Sequence, residues 1–189
     1  MRAYYYSRGK AIFKLALLGS LSAGALTGEA DAASQGTLGS TSTGSVNISV
    51  SVPSRARITG LTDITITNQD PGTAINSAQN ICVWSNTATR KYTIAASGSG
   101  MSNAFTLANG SLNVPYSVQW SDTSGATTGT ALTAGTASVA FTSTATDQAC
   151  ATGARTSASL IVNMATSDLA TMQAATAYSG VLTLVVTPQ

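Results

Sequence analysis

Residues Gly44–Val52 read GSVNISVSV. Val46, Ile48, Val50 and Val52 alternate with Asn47, Ser49 and Ser51. Successive side chains of an extended chain point to opposite faces, so this spacing predicts a β-strand with one β-branched apolar face and one polar face. A lone strand cannot bury such a face and needs a sheet to complete. That sheet belongs either to this molecule, with 44–52 as its first strand, or to another one. Residues 33–43 are small and polar apart from Leu38 and form a flexible lead.

Residues 1–32 have the pattern of a secretory signal. Arg2, Arg8, Lys10 and Lys14 make a basic start, Leu15 to Leu26 is an apolar run, and Ala30-Asp31-Ala32 is an A-x-A site. Cleavage is expected after Ala32. The competing assignment, an N-terminal membrane anchor, is weakened by Gly19, Ser20, Ser22 and Gly24 within the run. No other stretch is long and apolar enough to span a membrane.

Removing 32 of 189 residues leaves 157, enough for one domain with a full core, here residues 44–189 behind the lead. The remaining cations are Arg55, Arg57, Arg90, Lys91 and Arg155, and the remaining anions are Asp63, Asp70, Asp122, Asp147 and Asp168. The net charge is close to zero, which gives no electrostatic footprint for nucleic acid or an anionic membrane. Cys82 and Cys150 are expected to pair in an exported chain, which in the chain-entropy model stabilises it by about 4 kcal/mol.

The rest of the chain is a series of short apolar or alternating segments between turn signals. Strands are expected at Arg57–Leu61, Asp63–Thr67, Ile81–Trp84, Lys91–Ala96, Ala104–Leu107, Ser111–Trp120, Thr130–Leu132, Ala137–Phe141, Leu160–Met164 and Gly180–Thr187. Asp70-Pro71-Gly72 reads as a turn and Asn109-Gly110 as a hairpin. Pro115 cannot donate to a ladder and marks an edge or a bulge in its strand. Ser167-Asp168-Leu169 starts either a helical turn or a loop. The last segment is apolar on both faces, Leu182, Leu184 and Val186 on one and Val181 and Val185 on the other. It therefore belongs either in a covered central strand or beside a deep groove. The predicted fold class is all-β, an immunoglobulin-like antiparallel β-sandwich.

Catalytic constellations are missing from the sequence. It has no His, and no Glu after Glu29. No G-x-S-x-G elbow or phosphate-binding loop occurs, and Asp122 and Asp147 lack the spacing of a calcium loop. No enzyme activity, cofactor or metal is expected. Trp84, Tyr92, Tyr116, Trp120 and Tyr178 are candidates for a sugar-stacking platform, but their strand register suits core positions better.

The phrases N-I-C-V-W-S, K-Y-T-I-A-A-S-G-S-G, F-T-L-A-N-G and V-P-Y-S-V-Q-W-S-D between Asn80 and Asp122, then Cys150, then the closing A-Y-S-G-V-L-T-L-V-V-T-P-Q, resemble the pilin domains of alternative (archaic) chaperone–usher pili, including the spore coat protein U-like group. Many relatives carry a cysteine just after the N-terminal strand, where this chain has Ser54 to Arg57. The resemblance implies an incomplete sandwich completed by donor-strand exchange, filled first by a periplasmic chaperone delivering to an outer-membrane usher, then by the N-terminal strand of a neighbouring pilus subunit. It implies Val46, Ile48, Val50 and Val52 as the donor residues and Leu182, Leu184 and Val186 as the strand flanking the groove. The implied function is a structural or minor subunit of a surface pilus serving adhesion and biofilm, exported through the periplasm to the bacterial surface. The alternative is a secreted binding module, a tip adhesin or lectin-like sandwich.

Overall fold

Most of the alternating segments form antiparallel strands. The computed structural model describes residues 32–153 and 155–189; the expected signal segment lies outside the described residues except for Ala32. In chain order the strands are β1 (Ala56–Thr59), β2 (Ile75–Ser85), β3 (Lys91–Ser97), β4 (Thr106–Asn109), β5 (Leu112–Pro115), β6 (Ser117–Ser121), β7 (Thr130–Ala131), β8 (Phe141–Thr142), β9 (Ala158–Met164) and β10 (Thr183–Pro188), with one short helix, α1 (Thr166–Leu169). They form a sheet in the order β1-β2-β9-β6-β7, a second in the order β10-β3-β8, and a β4–β5 hairpin, all antiparallel.

One core joins the two larger sheets, an arrangement consistent with a β-sandwich. Ile81 and Val83 of β2, Trp120 of β6 and Leu160 of β9 pack in the same cluster as Tyr92 and Ile94 of β3. Alternation places them there: Tyr92, Ile94 and Ala96 are buried while Lys91 is exposed and Thr93 and Ala95 are half-buried. Cys82 faces away from this core and is covered by the polar loop 143–157 through the disulfide to Cys150, whose Cα atoms are 5.9 Å apart. The same loop is fastened by hydroxyls. Ser157 Oγ accepts from Val83 N–H at 2.8 Å and donates to Val83 C=O at 2.9 Å, occupying a ladder position without a strand.

Several segments depart from the sequence expectation for visible reasons. The single strand expected over Ser111–Trp120 divides at Tyr116. Before it, β5 pairs with β4; after it, β6 pairs with β9. Pro115 has no N–H to continue the ladder, and Tyr116 N–H turns to Phe105 C=O at 2.9 Å. β2 runs through Ile75–Ser85 rather than Ile81–Trp84, because its first half, I-N-S-A-Q-N, pairs with β9 through backbone groups its polar side chains do not advertise. The strand expected over Ala137–Phe141 shrinks to β8 and a single bridge between Ala95 and Ala137. Asp63–Thr67 is not in a sheet. Gly60, at a φ of 85° that suits glycine, ends the β1–β2 ladder and sends the chain off β2.

Among the described residues, 32–51 form one unit and 52–189 another. Within the first, Ser34 and Ser45 exchange backbone hydrogen bonds of 2.9 and 3.0 Å, and their hydroxyls meet at 2.7 Å. Of the strand expected over 44–52, Ser45 makes this one bridge, and residues 46–52 enter no ladder and are exposed. The first strand of the sheets is β1.

Candidate functional site

Where the chain leaves β2 after Gly60, a groove of about 690 Å³ opens in the second unit. One wall is the extended segment 61–67, the other the approach to β10 over 176–184, and the floor is built from Tyr116, Leu160, Val162 and Met164. Leu169 of α1 and Met172 also contribute to the lining. Side-chain amides and hydroxyls hold these walls in place of ladders. Gln79 accepts from Thr62 N–H at 2.9 Å and donates to Thr62 C=O at 3.2 Å, so its amide imitates a strand neighbour. On the other side Ala108 and Ser179 exchange backbone bonds of 2.8 and 3.0 Å, Asn109 Nδ2 donates to Ala177 C=O at 2.7 Å, and Ser99 Oγ accepts from Val181 N–H.

The wall formed by β10 has an open edge. β10 pairs with β3 on one side, and among the described residues no strand is hydrogen-bonded to the other. Gln189 N–H donates to Lys91 C=O, and bonding alternates along an antiparallel pair. The odd-numbered residues therefore address β3, while Leu182, Leu184 and Val186 present their N–H and C=O groups to the open side. Pro188 falls in the same outward set and has no N–H, so the donor row ends there.

The sequence-predicted site residues are placed as follows. Leu182 and Leu184 line the groove; Val186 packs half-buried against the core beyond it. Val181 and Val185, on the other face, are exposed, so β10 lies beside a groove rather than in a covered centre. Val46, Ile48, Val50 and Val52 are 70, 85, 85 and 75% exposed. A row of four β-branched side chains left in water is uncommon, because burying each is worth about 1.5–3 kcal/mol. Leu61, Ile64 and Ile66 on the groove wall are also partly exposed, at 46, 39 and 42%. Sequence reading missed this wall, since Ile64 and Ile66 alternate as any strand does. It also missed the two amides, Gln79 and Asn86, that stand in for backbone.

Asn86 holds the start of β1. Its Oδ1 accepts from Arg55 N–H, its Nδ2 donates to Pro53 C=O at 2.9 Å, and its backbone N–H donates to Arg55 C=O at 3.1 Å. Residues 53–55 are thereby fixed at the end of the sheets where β2 turns into β3.

The aromatic platform is not assembled. Trp120 and Tyr92 are fully buried, with Trp120 Nε1–H donating to the Tyr92 hydroxyl at 3.2 Å, and Tyr116 is buried beside Phe105. Trp84 is half-buried against the disulfide. Burial pushes the Tyr92 phenol up to about 12, the Trp120 hydrogen bond opposing and the Asp122 charge adding to the rise; burial also raises Tyr116. Asp147 is held well below the usual carboxylate range by the Thr152 hydroxyl and the N–H groups of Ala151, Thr152 and Ala149. These bonds close the loop around Cys150. Among the described residues no three His, Cys, Asp or Glu side chains converge as metal ligands, and no helix is long and apolar enough to cross a membrane.

An apolar trough beside an open strand edge can accept an extended segment. Main-chain ladders would supply affinity, and alternate side chains in the trough would set the register. No protein-family model matches the chain, and no curated protein matches it.

Proposed function

We propose that the chain is a structural or minor subunit of a bacterial surface pilus, assembled by β-strand donation. The observation that carries this reading is the pairing of complementary features in one chain. An apolar groove flanks the open edge of β10, and an exposed apolar row runs over Val46, Ile48, Val50 and Val52. The lengths correspond: residues 46–52 extend over about 23 Å and the six residues of β10 over about 20 Å. The sheet orders β1-β2-β9-β6-β7 and β10-β3-β8 fit an immunoglobulin-like sandwich lacking the strand beyond β10. In this reading a periplasmic chaperone covers the groove before an outer-membrane usher passes the subunit to the growing fibre, and a neighbouring subunit's residues 44–52 then take its place. Attachment and biofilm formation follow from the fibre.

The test compares a chain beginning at Ala33 with one beginning at Ser54, each with and without a synthetic peptide of residues 37–52. The reading expects the shorter chain to be poorly stable alone and to melt at higher temperature with the peptide. It expects the longer chain to form multimers that survive SDS. A longer chain that stays a stable monomer and a shorter chain indifferent to the peptide overturn it.

A further inference from the structure

The charges of residues 52–189 are sorted along the strands. At the end where β1, β3 and the β2–β3 connection start lie Arg55, Arg57, Arg90 and Lys91, all exposed; Arg57 pairs with Trp84, and Lys91 pairs with Thr142. The disulfide loop in the same half adds Arg155 and Asp147. Asp122 joins them, accepting from Thr142 N–H at 3.2 Å. Toward the opposite end lie Asp63 beyond Gly60, Asp70 in the turn before Ile75, and Asp168 in α1, which follows the end of β9. No Lys or Arg is on that side. The basic half therefore has a net charge of +3 and the acidic half −3. The eleven residues of β2 separate the two ends by about 36 Å.

The segment preceding the sheets has no part in this polarity. From Ala32 to Ser54 the chain has no charged residue, and the first, Arg55, is fixed by Asn86 at the basic end. If Val52 sits in another copy's groove, the three residues Pro53–Arg55 span at most about 11 Å, so the donor's basic end abuts the acceptor. We propose that successive copies of this chain meet end to end, the basic end of one against the acidic end of the next, and that this contact steers assembly. The inference rests on the strand-donation reading. Antiparallel insertion along β10 puts Val52 near Thr183, at the acceptor's acidic end. Parallel insertion puts it near Pro188, where basic would face basic, so charge selects the antiparallel register.

The experiment uses the chain from Ala33 and two readouts, growth of SDS-resistant multimers and uptake of labelled, uncharged peptide 37–52. Raising salt from about 0.01 M to about 0.15 M shortens the screening length from ~30 Å to ~8 Å. Multimer growth is expected to slow tenfold or more, within the range of electrostatic steering, while peptide uptake changes less than twofold. R55E/R57E/K91E, outside the groove, is expected to lose the low-salt acceleration while taking up peptide as the unmodified chain does. Adding D70K/D168K to it leaves the formerly basic half at −3 and the formerly acidic half at +1, so the ends again carry opposite signs, and is expected to restore part of the acceleration, with peptide uptake again showing that the chain is folded. Multimer growth indifferent to salt and to R55E/R57E/K91E, with peptide uptake intact, overturns the end-to-end contact alone. Absence of peptide uptake by the unmodified chain overturns strand donation itself.

Discussion

Ile48→Ala separates an exposed residue from a donated one. In the isolated chain Ile48 is 85% exposed, so its removal should change stability by less than about 0.5 kcal/mol. In a neighbour's groove the same side chain would be buried. Truncation to Ala deletes about three carbons, each worth about 0.8 kcal/mol of transfer free energy, or roughly 2 kcal/mol after incomplete burial. That is roughly a thirtyfold loss of affinity. The assay is binding of peptide 37–52 and its Ile48→Ala form to the chain beginning at Ser54, alongside urea unfolding of the monomer of the chain beginning at Ala33, separated from multimers by size, with and without the substitution. The expected outcome is a peptide weakened about thirtyfold and an unfolding midpoint that does not move. Equal binding by both peptides would refute the burial of Ile48 in the groove. A stability loss above about 1 kcal/mol in the unassembled chain would show that Ile48 already packs within its own molecule.

Three further expectations concern the sheets. Replacing Cys82 and Cys150 by Ser removes a cross-link with a sequence separation of 68, which should cost about 4 kcal/mol and lower the melting temperature by about 8–16 °C; a shift under 3 °C would contradict this. Ser157→Ala leaves the buried Val83 N–H without its acceptor and should cost about 1–3 kcal/mol in urea unfolding, whereas an unchanged midpoint would mean another acceptor moves in. Tyr92 titrates near 12 when folded and near 10 when unfolded, so between these values the unfolded chain holds fewer protons. Its contribution is therefore complete below pH 10 and lost as pH rises to 12. Tyr92→Phe should flatten that decline, and an identical slope in both proteins would reject the assignment.

The strand pattern was legible in the sequence wherever apolar residues alternated, as in β3, where Tyr92, Ile94 and Ala96 occupy the core as their spacing predicts. The pairing of Cys82 with Cys150 and the β4–β5 hairpin were legible for the same reason, each depending on few residues and a local rule, although the turn falls on Gly110-Ser111, one residue later than expected, with Asn109 in β4 opposite Leu112. The groove was less so. Ile64 and Ile66 alternate like strand residues, but whether they find a ladder depends on Gly60 turning the chain off β2, and on Gln79, 17 residues away from Thr62, offering an amide in place of a backbone. The switch of the chain between two sheets at Pro115 was visible only as an interruption; which strand each half would pair with depends on β4 and β9, distant in sequence. Long-range pairing of polar residues, as in the first half of β2, leaves no mark in a hydrophobic pattern.

The Asn86 bracket has a mechanical consequence. Tension applied through residues 46–52 reaches the sheets at Pro53–Arg55, where three hydrogen bonds to one asparagine hold the chain immediately before β1. A pull along the axis of β1 tries to slide it past β2, loading the bracket and the four-residue ladder in parallel; a pull across the axis would open them one after another like a zipper. Sliding requires several bonds to fail together, and at the far end of that ladder Cys82, opposite Thr59, is covalently tied to the loop at Cys150. A filament stretched along its length would thus load each subunit in its strongest direction, and Asn86→Ala should lower the rupture force of a stretched chain before it lowers the melting temperature.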